Sequence, residues 1–252
     1  MYIPDWPLAD LGGTPAGYEL KFYLLGSPID HSPSPALHNA GFKACGLRHT
    51  YIKREYGSAE DEASIAASGL RRLLTGDRFG GASVTIPLKQ SIIPLLDRLG
   101  ESAVAVGAVN TVVRTHAGEL VGENTDYLGI LRPVKAALLR REQQKAPETG
   151  QRKKVGIALI LGAGGTARAA AYAARQLDLG VLVWNRSPDK ATAVARDFQG
   201  LPVATIDDAV RVAAGQATEL VAVISTVPTA ANVFLPGSLL ALQPVRFVPL
   251  FL

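Results

Sequence analysis

Two short runs of residues carry chemistry that their types and spacing define. The first is Gly162-Ala163-Gly164-Gly165-Thr166-Ala167. An apolar run over 157–161 stops at it, and an Ala-rich stretch with helical patterning follows. That order describes a buried parallel strand, a tight turn and a helix whose N-terminus faces the turn. Gly162 permits the turn, Gly164 lets backbone approach a ligand, and small Ala167 lets helix and strand pack closely. The N–H groups and dipole of such a helix end make a pyrophosphate site. The second run is Asn185-Arg186-Ser187, where the next strand closes. A site built for NAD places Asp or Glu at that strand end, on the ribose 2′-hydroxyl. Here Asn185 is neutral, and the Arg186 guanidinium suits a 2′-phosphate and can stack on adenine. Ser187 adds a hydroxyl, and Thr226, after strand 220–225, completes the candidate set. The expected cofactor is NADP rather than NAD.

The elements that must position these groups read along the chain. Strand-like 19–25 is closed by Gly26, and a Pro-punctuated loop leads to a helix starting near Pro35 with Ser34 as N-cap. A strand at 50–54, a helix over 60–74, and a strand at 82–86 stopped by Pro87 follow. Ile92, Ile93, Leu95, Leu96 and Leu99 have the spacing of an amphipathic helix. A strand at 108–114 precedes a helix over 127–141, with Asp126 as its N-cap or in its first turn. Residues 142–154 read as a solvated linker. Beyond the glycine turn come strands at 180–184, 201–205 and 220–225, a helix at 188–198 and one capped by Asp207 or Asp208. Phe247–Leu252 reads as the start of a strand followed by unrelated residues. This alternation predicts an α/β protein with largely parallel sheets, in two domains at 1–125 and 126–252 with Asp126 near the hinge.

Composition narrows the function classes. With 48% hydrophobic and 19% charged residues, the 252-residue chain has the balance of a globular protein with real cores. Its net charge of +4 is scattered, with only Arg140-Arg141 and Arg152-Lys153-Lys154 clustered, which argues against a nucleic-acid partner. Cys45 is the single cysteine, and the four histidines lack ligand spacing, so neither an internal disulfide nor a metal site is expected. The first 17 residues, an irregular arm, lack the pattern of a signal peptide, and no apolar run reaches the ~18–20 residues of a membrane helix. No membrane partner is expected, and the expected location is cytoplasmic.

Further motifs carry a resemblance. They are Gly26-Ser-Pro-Ile-Asp-His-Ser-Pro-Ser-Pro-Ala-Leu-His-Asn39, Ser83-Val-Thr-Ile-Pro-Leu-Lys89, Gly107-Ala-Val-Asn-Thr111 and Gly122-Glu-Asn-Thr-Asp126, besides the glycine turn and Asn185-Arg-Ser187. In this order and spacing, over residues 20 to 230, the chain resembles the shikimate dehydrogenase and quinate/shikimate dehydrogenase family. That family includes the last domain of the fungal multifunctional shikimate-pathway protein. The resemblance implies an N-terminal α/β substrate domain and a Rossmann-like, doubly wound NADP-binding domain. It implies reversible NADPH-linked reduction of 3-dehydroshikimate to shikimate, in aromatic amino acid biosynthesis. Ser32 and Ser34 match the serines that hold the substrate carboxylate, and Thr85 and Asn110 match residues that bind ring hydroxyls. Lys89 and Asp126 match the catalytic pair. Ketone reduction needs a proton delivered to oxygen as hydride arrives, and the reverse step needs a base. A lysine, with a reference pKa of about 10.4, must be depressed to serve as that base near neutrality.

The sequence departs from the family at its C-terminal end. The family continues into a helical segment returning to the substrate domain, with a Tyr near the nicotinamide and a Gln on substrate. Here no Gln follows Gln243 and no Tyr follows Tyr172. The resemblance therefore implies a C-terminally truncated member with lowered or absent turnover. Two alternatives stand beside shikimate dehydrogenase: a quinate or aminoshikimate dehydrogenase, and a non-catalytic metabolite-sensing module like related fungal regulators.

Overall fold

The computed structural model describes residues 19–56, 69–144, 156–215, 218–227 and 246–249. Expectations for the N-terminal arm, for 60–68 of one helix, for most of the 142–154 linker and for the last residues of the chain lie outside them. Contacts divide the chain into two compact units, Met1–Arg98 with Thr111–Val121, and Leu99–Asn110 with Gly122–Leu252.

The first sheet contains β1 (Lys21–Gly26), β2 (Thr50–Glu55), β3 (Phe79–Val84), β4 (Arg98–Leu99), β5 (Thr111–Arg114) and β6 (Leu120–Glu123) in the order β2-β1-β3-β5-β6-β4. β1 runs parallel to β2 and β3, whereas β5 is antiparallel to β3, so this sheet is mixed where a largely parallel one was expected. The reason is local. β5 and β6 are joined by a short turn in which the Thr115 N–H donates to the Glu119 carbonyl at 2.9 Å, too tight for a crossover helix. Between β1 and β2 lies α1 (Ser34–Ala44), and Leu24, Ile29 and Tyr51 form a small core with Phe22 and Phe42 packed against it.

The amphipathic helix expected from Ile92 to Leu99 does not form. Instead α2 (Leu70–Leu74) precedes β3, a four-residue α3 (Leu88–Ser91) follows it, and Ile93–Leu95 makes one 3₁₀ turn. Pro94 sits in that turn, Leu96 is extended, and Leu99 is in β4. Pro94 can supply no N–H to a helix ladder, and Asp97 is drawn into the sheet instead, its carboxylate accepting from the Leu120 N–H at 2.7 Å.

The second sheet holds β7 (Gly156–Leu161), β8 (Gly180–Trp184), β9 (Leu201–Pro202), β10 (Glu219–Ser225) and β11 (Arg246–Pro249), ordered β11-β10-β7-β8-β9, with every neighbouring pair parallel. In chain order this is the Rossmann arrangement, whose direction of winding reverses between β7 and β10. α4 (Glu101–Val106) and α5 (Asp126–Gln144) belong to the same unit, as do α6 (Gly165–Arg175), α7 (Pro188–Asp197) and α8 (Ile206–Gly215). Successive residues of β7 serve opposite faces, as the period of two demands. Ala158 and Ile160 pack with α5, α6 and α7, while Ile157, Leu159 and Leu161 pack with α8. Both faces are covered, which is why the strand reads as an unbroken apolar run.

Two helix starts differ from expectation. α8 is capped by Thr205, not by Asp207 or Asp208. The Asp208 N–H donates to Thr205 Oγ1 at 3.1 Å, and the Asp208 carboxylate accepts from the Thr205 N–H at 2.8 Å. This reciprocal box draws Thr205 out of the strand expected at 201–205. At α1, Ser34 is the first helical residue rather than the cap, and no side chain caps the helix.

Candidate functional site

β1 ends in a junction only glycine can make. Gly26 has φ +154°, and a Cβ there would lie 2.4 Å from Thr85 Cγ2 and 2.6 Å from the Ile86 carbonyl. The close approach lets the Ser27 N–H donate to the Ile86 carbonyl at 2.9 Å and the Thr85 N–H donate to the Leu25 carbonyl at 2.8 Å. Cis peptide bonds follow on both sides, at Ser27–Pro28 and Ile86–Pro87. The loop is then held from β2. The Ile29 N–H donates to Glu55 Oε1 at 2.8 Å, and Lys53 Nζ donates to the Asp30 carbonyl. It presents Ser32 and Ser34 as a half-buried pair of hydroxyls 3.1 Å apart, with the Ser34 N–H donating to Ser32 Oγ at 3.3 Å. Two adjacent hydroxyls on a fixed loop suit the two oxygens of a carboxylate. Further along α1, Asn39 pairs with both backbone groups of Tyr51, and burial raises the Tyr51 phenol above its ordinary pKa, with the Ser83 hydroxyl pulling the other way.

Thr85 is half-buried, and its carbonyl accepts from the Leu88 N–H at 2.9 Å to open α3. The next residue is Lys89, only 7% exposed, the one charged side chain buried among the described residues. Leu88 and Ile92, both fully buried, fix the short helix from below.

Asn110 and Asp126 belong to the second unit, and the structure brings them together. Asn110 Nδ2 donates to Asp126 Oδ1 at 2.7 Å and to Thr125 Oγ1 at 2.9 Å, while Asn110 Oδ1 accepts from the Thr125 N–H at 2.9 Å. Asp126 lies in the first turn of α5, where the helix dipole favours a carboxylate. The residue that arranges this cluster is Asn124, 1% exposed. Its Nδ2 donates to the Ala108 carbonyl at 2.9 Å, its Oδ1 accepts from the Asp126 N–H at 3.0 Å, and its own N–H donates to Ser102 Oγ at 2.9 Å. Taking up the Ala108 carbonyl is also why β5 begins at Thr111 and not at 108. Ser102 Oγ in turn donates to Glu123. Beside Asp126, burial raises the Tyr127 phenol above its ordinary pKa, with Tyr172 and Glu123 adding to it.

The glycine turn stands at the reversal point of the second sheet. Gly162 has φ +118°, and a Cβ on it would lie 2.4 Å from Thr226 Oγ1. Thr226 braces the turn, its hydroxyl and its N–H each donating to the Leu161 carbonyl at 2.9 Å. A Cβ on Gly164 would meet nothing within 4 Å, and no side chain caps α6, so Gly164 to Ala167 present backbone with room for an anion. Ala163, Gly165 and Thr166 are half-buried around it, and Ala167 is fully buried against the sheet. At the end of β8, Asn185 Nδ2 donates to the Ser187 carbonyl at 3.1 Å, and Arg186 and Ser187 are exposed.

Residues 24–112 match the model of the shikimate dehydrogenase substrate binding domain. The shikimate 5-dehydrogenase of Thermus thermophilus, solved in complex with shikimate, is 32% identical; the match covers 87% of this chain and 73% of that one with a TM-score of 0.64. The chain belongs to the shikimate dehydrogenase family. The same Thermus enzyme solved with NADP(H) and shikimate is 33% identical, covering 82% of this chain and 68% of that one with a TM-score of 0.60. The pentafunctional AROM polypeptide of Yarrowia lipolytica is 39% identical over 189 residues, 75% of this chain and 11% of that one. The chain thus spans about a tenth of the length of the curated relatives it matches.

Set in a shikimate dehydrogenase fold, the residues singled out by sequence fall into local groups: Ser32 with Ser34, Thr85 near Lys89 in the chain, Asn110 with Asp126, and the glycine turn with Thr226. Sequence reasoning missed Asn124 and Glu55. The run Asn124-Thr125-Asp126 before a helix was a signal for Asn124, because an Asn two residues ahead of a helix start readily makes an Asx turn. Glu55 had no signal, since its partner Ile29 lies 26 residues away.

Proposed function

We propose that this chain is an NADP-dependent shikimate dehydrogenase, reducing 3-dehydroshikimate reversibly to shikimate for aromatic amino acid biosynthesis in the cytoplasm. Residues 1–125 serve substrate binding and catalysis, and 126–252 bind NADP. The observation that carries the reading is buried Lys89. Lysine is among the residues least often buried, and a buried cation inside a family motif is a catalytic candidate.

The donor set fits NADP. Gly164 offers open backbone at a helix end without a side-chain cap, and the strand end carries exposed Arg186 where an NAD site would carry a carboxylate. NADP(H) supplies or accepts the hydride. Ser32 and Ser34 hold the substrate carboxylate, and Thr85 and Asn110 bind ring hydroxyls. Lys89 delivers the proton to the ketone oxygen and recovers it in the reverse direction. Asp126, kept in place by Asn110 and Asn124, receives a substrate hydroxyl and orients the ring.

A steady-state assay of shikimate-dependent NADPH formation tests this. Lys89→Ala is expected to lower kcat by about 10²- to 10⁴-fold while leaving NADP⁺ binding intact. Unchanged turnover in that variant, or a wild type that neither turns over nor binds shikimate, would refute the reading. A wild type without turnover that still binds the metabolite would favour a sensing module.

A further inference from the structure

Arg168 is a charged residue in a run of buried alanines. On α6 it stands between Ala167 and Ala169, both fully buried, and its side chain is only 15% accessible. Two parts of the second unit meet its guanidinium, the end of α4 and the end of α7. Nε donates to the Val106 carbonyl at 2.8 Å, and Nη1 donates to Asp197 Oδ2 at 2.8 Å. Cζ lies 5.3 Å from the centre of the Phe198 ring. The fork also abuts Gly107, where a Cβ would lie 2.6 Å from Nη2. A guanidinium this far out of water is costly, and every contact it makes has a specific geometry.

What the guanidinium holds is the start of a functional segment. Val106 ends α4, and its carbonyl is one of the orphan acceptors of that helix end. Gly107 then turns the chain in the left-handed region, at φ +68°. Ala108 follows, gripped by Asn124, and then Asn110, whose amide holds Asp126. Residues 99–110 fall within the stretch matching the substrate-binding model, yet they pack in the unit that carries the glycine turn. Arg168, on the helix that starts at that turn, is a side-chain tie accounting for it.

We propose that Arg168 is a positioning residue that sets Asn110, and through it the Asp126 carboxylate, relative to the glycine turn. The proposal rests on the dehydrogenase reading. A small misplacement of a substrate-binding segment lowers the rate steeply, because the substrate no longer sits in its reactive pose.

Arg168→Met keeps the apolar stem and removes the fork. Its kcat is expected to fall about 10- to 100-fold and its KM for shikimate to rise several-fold, with KM for NADP⁺ changed less than about twofold. Arg168→Lys, which can still reach one acceptor, should recover part of kcat. Asp197→Asn, which leaves Arg168 in place but slackens its fork, should shift the same constants less and serves if Arg168→Met does not fold. Hydrogen exchange supplies a second readout. The Gly107 and Asn110 amides, which donate to the Ala103 and Glu123 carbonyls, should lose protection in Arg168→Met while the amides of the later α6 turns keep theirs. A variant that only melts earlier, with kinetic constants and Gly107 and Asn110 exchange unchanged, would overturn the proposal. An inactive wild type with loosened exchange in the variant would condemn the dehydrogenase reading and leave the tie standing.

Discussion

The chain solves one problem twice. At the end of β1 and again at the end of β7, a strand must stop and pass through a tight turn to a helix. Each junction uses a glycine at positive φ, and each presses it against a threonine on a neighbouring strand's end, Thr85 at Gly26 and Thr226 at Gly162. The two then diverge. α6 starts three residues after Gly162, with its alanines buried, so what this junction offers is the backbone N–H groups of a rigid helix end. α1 starts eight residues after Gly26 and has no buried residue, so the polar groups this junction offers are Ser32 and Ser34 on the loop before it. Backbone amides suit a pyrophosphate common to all dinucleotides; placed hydroxyls suit one particular small acid.

Substitution of the two glycines should separate the junctions most strongly. At Gly26 a methyl meets the Ile86 carbonyl, which is backbone and cannot turn away, besides the forbidden φ. At Gly162 it meets Thr226 Oγ1, which can rotate. Gly26→Ala is expected to cost about 3–5 kcal/mol in denaturant unfolding and Gly162→Ala about 2–3. Adding Thr226→Ala should recover part of the Gly162→Ala loss, whereas Thr85→Ala should recover little at Gly26. Equal costs at both sites, or equal rescue, would dissolve the distinction.

The next effect is on ligand choice. Arg186→Ala should raise KM for NADP⁺ about 10- to 100-fold, the worth of a hydrogen bond to a charged group, and leave KM for NAD⁺ nearly unchanged. Steady-state kinetics with both cofactors reads this directly. On the other side, Ser32→Ala and Ser34→Ala should each raise KM for shikimate about tenfold without touching the NADP⁺ constant. They should differ in stability. Ser32→Ala removes the acceptor of the Ser34 N–H and should cost about 0.5–1.5 kcal/mol, while Ser34→Ala, removing no cap, should cost less.

The smallest effect is a dependence on pH carried by two carboxylates of the second unit. A hydrogen bond from Arg168 holds the Asp197 carboxyl below the ordinary carboxylate range, and Thr205 and Arg211 do the same for Asp208. Both groups are more acidic folded than unfolded, so their contribution is present above the unfolded pKa of about 4 and fades as pH falls through the depressed values. Thermal unfolding between about pH 5 and 2 should show the loss, and Arg168→Met should reduce it. A slope unaffected by that variant would detach Asp197 from Arg168.

What sequence alone determined was whatever is encoded over a few neighbouring residues. The apolar run into Gly162, the Ala-rich helix after it and Asn185-Arg186 at the next strand end were legible because strand period, helix period and glycine turns are local properties. The motifs carrying Ser32, Lys89, Asn110 and Asp126 were legible as patterns, though not as a geometry. Tertiary structure decided the rest. Pro94 and the pull of Leu120 on Asp97 broke a helix that the leucines promised, and Thr205 displaced the expected aspartate cap. Asn124 and Arg168 acquired their roles from partners 16 and 62 residues away. The burial of Lys89, too, is set by how the chain packs around it. A side chain's hydrogen-bond partner is chosen by the folded surroundings, and no spacing within the chain names an acceptor that only packing brings near.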